Sequence, residues 1–387
     1  MRTMHIRRRL LETCKLRFAF RLALAYVTLS ISAFAAQPPD LFVSSPGFDS
    51  VLRYNGSTGA FINQFASGGG LHFPADLVFG PDGNLYVTNN VLRINEGGVL
   101  RYDGRTGAPL PSPGNPGAFF VTPNTGGLDG PEGLTFGLDG SLYVTSVMID
   151  GGGFPIGGVL RFNGTTGAFV DTFVPFSHDL GFPSDVLFGP DGNLYVSVQT
   201  FGGGGDVFRY NGATGQLIDE FARGGPLTAA EGIVFGPDGN LYVSNRGGNS
   251  VLRYNGATGA FLDTFIPARS GGLDGPQALL FGPDNNLYVS SMGGPQGVLR
   301  YDGRTGAFID IFASGASSPT GIAFAPAAIP EPSSSMLVAI ALACGMAVFI
   351  RNRRFSANCN GALQNARHEH HGRRRIQRAV MTSPQTG

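Results

Sequence analysis

The sequence predicts an all-β fold: a six-bladed β-propeller of four-stranded antiparallel blades, followed by one C-terminal transmembrane helix. Three observations predict it. The element "VLRYNGSTGAF" (51–61) recurs from Val99, Val159, Val207, Val251 and Val298, at spacings of 48, 60, 48, 44 and 47 residues. A second element, "FGPDGNLYV" (79–87), recurs from Phe136, Phe188, Phe235 and Phe281. The 60 glycines, about twice average usage, are interleaved with 31 phenylalanines and short apolar runs, the mark of many turns joining many strands. No three-residue period is present, which excludes collagen.

Each unit holds four short strands, in the fifth Ala278–Phe281, Leu287–Ser290, Val298–Tyr301 and Ala307–Phe312. A "PDGN"-type turn joins the first pair and an Asn/Asp-Gly-x-Thr-Gly turn the second, both hairpin signals. Their glycines supply the positive φ that such turns need. First strands start near Ala75, Gly133, Asp185, Gly232, Ala278 and Gly321, and second strands at Leu41, Leu85, Leu142, Leu194, Leu241 and Leu287. Both counts give six. The chain opens with a second strand, "LFVSS", and closes with a first strand, "GIAFAP". Pairing these two ends in one sheet seals the ring and removes an exposed edge.

The termini point to export. Residues 1–36 read as a signal peptide: "MRTMHIRRRLLETCKLRF" is basic, "LALAYVTLSISAFA" is apolar, and Ala33 and Ala35 supply the small–x–small cleavage pattern. An uncleaved signal anchor is the alternative, and Met4 is a second possible start. Near the other end, the uncharged run 333–350 is apolar all round from Met336 and would span roughly 27 Å as a helix, just short of a bilayer core. A buried core helix would be amphipathic instead. Arg351, Arg353 and Arg354 follow as a stop and favour the cytoplasmic side, which leaves the residues before the span outside the cytoplasm.

Pro330, Glu331 and Pro332, then the apolar span, then the three arginines resemble the PEP-CTERM sorting signal of bacterial exported proteins. The resemblance covers residues 329–354 and implies an exosortase-type membrane enzyme as partner, with delivery to the cell surface. That signal normally ends its protein, whereas 33 residues (355–387) follow Arg354 here. This tail, with "HEHHGRRR", reads as a disordered basic segment; a metal-binding cluster is the alternative.

The formal net charge of zero hides an asymmetry. Between Leu41 and Pro330 stand 12 arginines, no lysine and 23 acidic residues, a net −11. Such a body is a poor binder of nucleic acid or anionic membrane, because it lacks the attraction to phosphate. Cys14, Cys344 and Cys359 all lie outside it, so the body has no disulfide. A domain of this size buries a large core without one.

The body, residues 37–328, resembles the NHL-repeat propellers and the wider streptogramin-lyase-like and gluconolactonase-like six-bladed group. "PEGLTFGLDGSLYVTS" (131–146) and "EGIVFGPDGNLYVSN" (231–245) carry that resemblance. It implies the fold and leaves activity open, since one fold hosts many functions.

The tight turns are uniform and occupy one rim, and the loops 109–131, 145–157, 175–184 and 197–205 vary on the other, where function is expected. There the inner strands begin and point at the central channel, so Asp76, Glu132, Asp185 and Glu231 converge near the axis. Four converging carboxylates repel one another, and a Ca²⁺ or other divalent ion would relieve that; hydrogen bonds to backbone N–H groups and water are the alternative. The gluconolactonase resemblance implies a Glu, Asn and Asp metal set; Glu132 and Glu231 match its Glu, and the other two partners have no match. The lyase resemblance implies a histidine base, and His178, beside Asp179, is the candidate catalytic residue. No Ser-His-Asp pattern is visible.

Arg53, Arg101, Arg161, Arg209, Arg253 and Arg300 recur in every unit. Ten residues on stand Asn63, Asp171, Asp219, Asp263 or Asp310, while "PLPSPG" breaks the pattern in the second unit. A feature repeated in every blade maintains the blade, and the Asp82, Asp139, Asp191 and Asp238 turns are read the same way. The preferred function is therefore a non-enzymatic exported propeller that binds a surface polysaccharide or protein through its variable rim. A metal-dependent hydrolase or lyase at the channel is the alternative, and a structural role in an extracellular matrix a third.

Overall fold

The computed structural model describes residues 38–326 apart from 91–96, 113, 116 and 201–203. The signal segment with Ala33 and Ala35, Pro330, Glu331 and Pro332, the span 333–350, Arg351, Arg353 and Arg354, and the tail all lie outside the described residues. Among the described residues no helix is long and apolar enough to cross a membrane.

The described chain forms six four-stranded antiparallel sheets. Blade I joins Leu41–Ser45, Ser50–Tyr54 and Phe61–Ser67 to the last strand, Ile322–Phe324. Blade II holds Pro74–Phe79, Leu85–Asn89, Gly98–Tyr102 and Phe119–Val121; blade III holds Leu134–Phe136, Leu142–Ile149, Pro155–Phe162 and Phe169–Ser177. Blade IV runs from Phe182–Phe188 to Leu217–Ala222, blade V from Ala230–Phe235 to Phe261–Ile266, and blade VI from Pro276–Phe281 to Phe308–Ser314. The ends pair as expected: Leu41 faces Phe324, Phe42 faces Ala323 and Val43 faces Ile322. Gly321 N–H also donates to Ala75 O at 2.8 Å, which ties the last inner strand to blade II and closes the ring.

The core lies between blades. Each of six buried apolar clusters draws on two neighbouring sheets, the last joining blades VI and I through residues such as Tyr288, Phe312, Leu41 and Val43. At the centre of five interfaces stands the tyrosine of "LYV". Tyr195, for example, meets Phe221 of its own outer strand and Phe235 of the next blade edge-on, both at 5.0 Å. Phe42 takes that place in blade I. Edge-to-face pairs at this spacing add about 0.5–1.5 kcal/mol each beyond buried area. The tyrosine hydroxyl needs a partner in such a place, and the turn aspartate provides it: Tyr195 donates to Asp191 at 3.0 Å and Tyr242 to Asp238 at 3.1 Å.

The second turn locks each blade to its predecessor. Asn255 Oδ1 accepts from the N–H groups of Ala257 and Thr258 at 3.0 and 2.9 Å. Gly259 then adopts φ +71°, and a Cβ there would stand 1.7 Å from the Phe221 carbonyl of blade IV. Only glycine meets both demands.

Two features differ from expectation. The stretches 145–157 and 197–205 are largely strand: in blade III Ile149 pairs with Pro155, and in blade IV Thr200 pairs with Gly204. Both hairpins are extended because their pairing register simply continues, which the mixed, glycine-rich sequence conceals. In blade II the outer strand shrinks to Phe119–Val121, and before it only an isolated bridge joins Tyr102 to Pro109.

Candidate functional site

Residues at the start of each inner strand line the axis, a pair from five blades and Glu132 alone from blade III. A cavity of about 40 Å³ is lined by Asp76, Glu132, Ser184, Asp185, Glu231, Gln277 and Thr320, among others. That volume accommodates a few waters and is far below the several hundred Å³ of a typical small-molecule pocket.

All four carboxylates have partners. Asp76 Oδ2 accepts from Leu134 N–H at 3.3 Å, and Asp185 Oδ2 from Ile233 N–H at 2.9 Å, so each bridges to the following blade. Glu132 accepts from the Asn90 amide. Glu231 accepts from Gln199 at 2.7 Å and from Arg246 at 3.2 Å. Beneath them lies a set of buried hydroxyls at the fourth position of the second strands. Thr88 Oγ1 accepts from Asp76 N–H at 2.8 Å and donates to Glu132 O at 2.6 Å, again joining two blades. Ser197 and Ser290 donate to Glu231 O and Thr320 O in the same manner.

Crowding of acids at the axis shifts their titration. Burial, then the charges of Glu231 and Asp76, pushes Glu132 up to about 8. Asp76 is raised by burial and by Asp185, and Asp185 by burial. Glu231, 6% exposed, is raised by burial while Arg246 opposes the shift. The channel is thus acidic in composition yet holds less than its full negative charge at neutral pH. Among the described residues no three His, Cys, Asp or Glu side chains are placed to hold one metal ion. The oxygens facing the axis are instead engaged by backbone N–H groups, amides and Arg246, so the donor set does not fit a metal cage.

His178 is elsewhere. It is exposed on the variable rim, and its Nε2 lies 3.5 Å from Asp150 of the blade III hairpin, a carboxylate distant in sequence from the neighbouring Asp179. His72 makes the corresponding contact with Asp49 at 2.9 Å. These pairs mark two patches of exposed aromatic surface. Phe48 (56% exposed) and Phe73 (41%) lie on one, joined by the Phe73 N–H bond to Asp49 Oδ1 at 3.0 Å. Phe154 (53%) and Phe182 (40%) lie by the other, with Ile149.

Sequence reasoning placed the four carboxylates and missed Asn90, Gln199 and Arg246, which engage them. It also missed the hydroxyls, although "LYVT" and "LYVS" repeat in the sequence and carry that signal. The Arg–Asp pairs form as the hairpin register allows: Arg161, Arg209, Arg253 and Arg300 each grip the aspartate ten residues on, with shortest contacts of 2.5, 2.5, 2.5 and 2.6 Å.

No protein-family model matches the chain, and no curated protein does. Solved structures do. A nidogen/laminin complex contains a chain 18% identical, with 74% of this chain and 98% of that one covered at a TM-score of 0.54. A Bacteroides caccae protein of unknown function is 14% identical over 74% and 98%, with a TM-score of 0.53. A putative gluconolactonase is 18% identical over 73% and 89%, with a TM-score of 0.48. Likeness at these identities shows the fold alone.

Proposed function

We propose that this chain is an exported, surface-sorted propeller that binds a polysaccharide or protein partner through its variable rim. The observation that carries the reading is the pair of aromatic patches there, Phe48 with Phe73 and Phe154 with Phe182. Exposed aromatic area on the loop-bearing face is costly to hydrate, and clustered exposure of this kind marks interaction surfaces. Export and sorting rest on the basic and apolar N-terminal segment and on Pro330, Glu331 and Pro332 followed by the span and the arginines; an exosortase-type enzyme is the implied processing partner.

The test is binding of the full chain to a cell-surface polysaccharide extract and to surface proteins. A double change, Phe154→Ser with Phe182→Ser, should weaken binding by about tenfold or more while leaving the circular dichroism spectrum intact. Unchanged binding overturns the reading. Fractionation of cells producing the chain with and without Pro330–Pro332 tests the sorting claim, which falls if neither location nor mass changes.

A hydrolase or lyase at the channel is the second reading, favoured by the convergence of Asp76, Glu132, Asp185 and Glu231. Because the donor set does not fit a metal cage, metal analysis is expected to find no tightly held divalent ion; one held at one per chain, and lost in Glu132→Gln/Glu231→Gln, would instead establish this second reading.

A further inference from the structure

Five of the six repeated arginines have a carboxylate. Arg161, Arg209, Arg253 and Arg300 hold the aspartate across the hairpin, and Arg53, which faces Asn63, holds Asp40 at 2.6 Å. Arg101 in blade II is the exception. Ten residues on stands Pro111, and the chain leaves the sheet there. Leu110 N–H donates to Arg101 O at 3.0 Å, while Arg101 N–H donates to Ala118 O at 2.7 Å.

The guanidinium is nevertheless held as in the paired blades. It lies 5.0 Å over the Phe120 ring, the same distance as Arg161 over Phe173. It also acts on the Tyr86 hydroxyl, which donates to Asp82. Among the described residues no carboxylate stands within ion-pair distance of Arg101, and its Nε is buried without a hydrogen-bond partner. A fixed cation without its anion carries a desolvation cost that the Phe120 ring and the neutral Tyr86 hydroxyl offset less fully than a carboxylate does.

We infer that Arg101 forms a binding site for a carboxylate supplied from outside the blade, in the place that aspartate fills in blades III to VI. A planar guanidinium fork matches a two-oxygen anion. One guanidinium fork takes one carboxylate, so the ligand is a single carboxylate. Two sources share that chemistry: a free small monocarboxylate, and an Asp or Glu side chain from a second copy of this chain.

Thermal unfolding of the full chain in sodium acetate, against sodium chloride at equal ionic strength, tests the site together with sedimentation of the same samples. Acetate should raise the midpoint saturably, with an apparent affinity weakened by about tenfold or more in Arg101→Gln. Pro111→Asp, which restores the blade III arrangement, should remove the acetate response and raise the midpoint in chloride. This second variant keeps the test decisive if Arg101→Gln fails to fold. Self-association lost in both variants, without an acetate response, identifies the second copy as the carboxylate source. A monomer whose midpoint does not respond to acetate, or an equal response in wild type and Pro111→Asp, overturns the inference.

Discussion

The acids of the outer strands and the acids of the axis obey different rules. Asp171, Asp219, Asp263 and Asp310 are partly exposed and each is gripped by an arginine from the neighbouring strand. Asp76, Glu132, Asp185 and Glu231 are crowded together at the axis, and among the described residues only Glu231 forms an ion pair. The outer pairs repeat with the blades and hold strand to strand. The axial acids appear in four of six blades, bridge blade to blade through N–H groups and amides, and have raised pKa values. Repetition therefore marks what builds a blade, and departure from repetition marks what distinguishes one blade from another.

The largest expected effect comes from breaking the frame that both regions share. Tyr195→Ala removes one edge-to-face contact within blade IV and one to blade V, and takes a hydrogen-bond donor from Asp191. It should cost about 3–5 kcal/mol in chemical denaturation. A loss under about 1 kcal/mol would mean that the interfaces do not depend on this tyrosine.

Titration of the axis should come next. A carboxyl whose folded pKa stands above its unfolded value stabilises the fold while protonated. For Glu132 that contribution is whole below the ordinary value of 4.5 and is lost as pH rises through about 8. Stability should therefore fall across this window, on the order of 2 kcal/mol, and Glu132→Gln should flatten the fall. Denaturation midpoints at several pH values measure it; a slope of opposite sign, or one unchanged in the variant, contradicts the axial account.

The smallest effect belongs to the outer pairs. Asp263→Asn breaks a contact whose partners are 24% and 46% exposed, so the loss should be about 0.2–1 kcal/mol and should shrink in high salt. A loss as large as that of Tyr195→Ala would erase the distinction between fastening and frame.

The fold was legible because its instructions are local and repeated. Turn residues, strand alternation and the opening "LFVSS" against the closing "GIAFAP" specify blades, their number and their closure without any distant contact. The axial carboxylates were legible for the same reason, since aligning six copies aligns six inner strands. What escaped was non-local or irregular. Asn90, Gln199 and Arg246 reach the axis from second strands and the loops beyond them, and His178 meets Asp150 across two loops; no spacing rule announces either. The extended hairpins of blades III and IV continue a register through glycine-rich sequence that reads as loop. The blade II insertion was visible as "PLPSPG", but the unpaired guanidinium it leaves at Arg101 needed three dimensions.

Hydrogen exchange of the full chain, with and without bound cell-surface polysaccharide, tests most directly whether the variable rim is the binding face. Protection is expected in the amides of 46–49, 72–73, 150–154 and 178–182, with the turns at 82–84 and 238–240 unchanged. Protection confined to those turns, or to the outer strands, would contradict it.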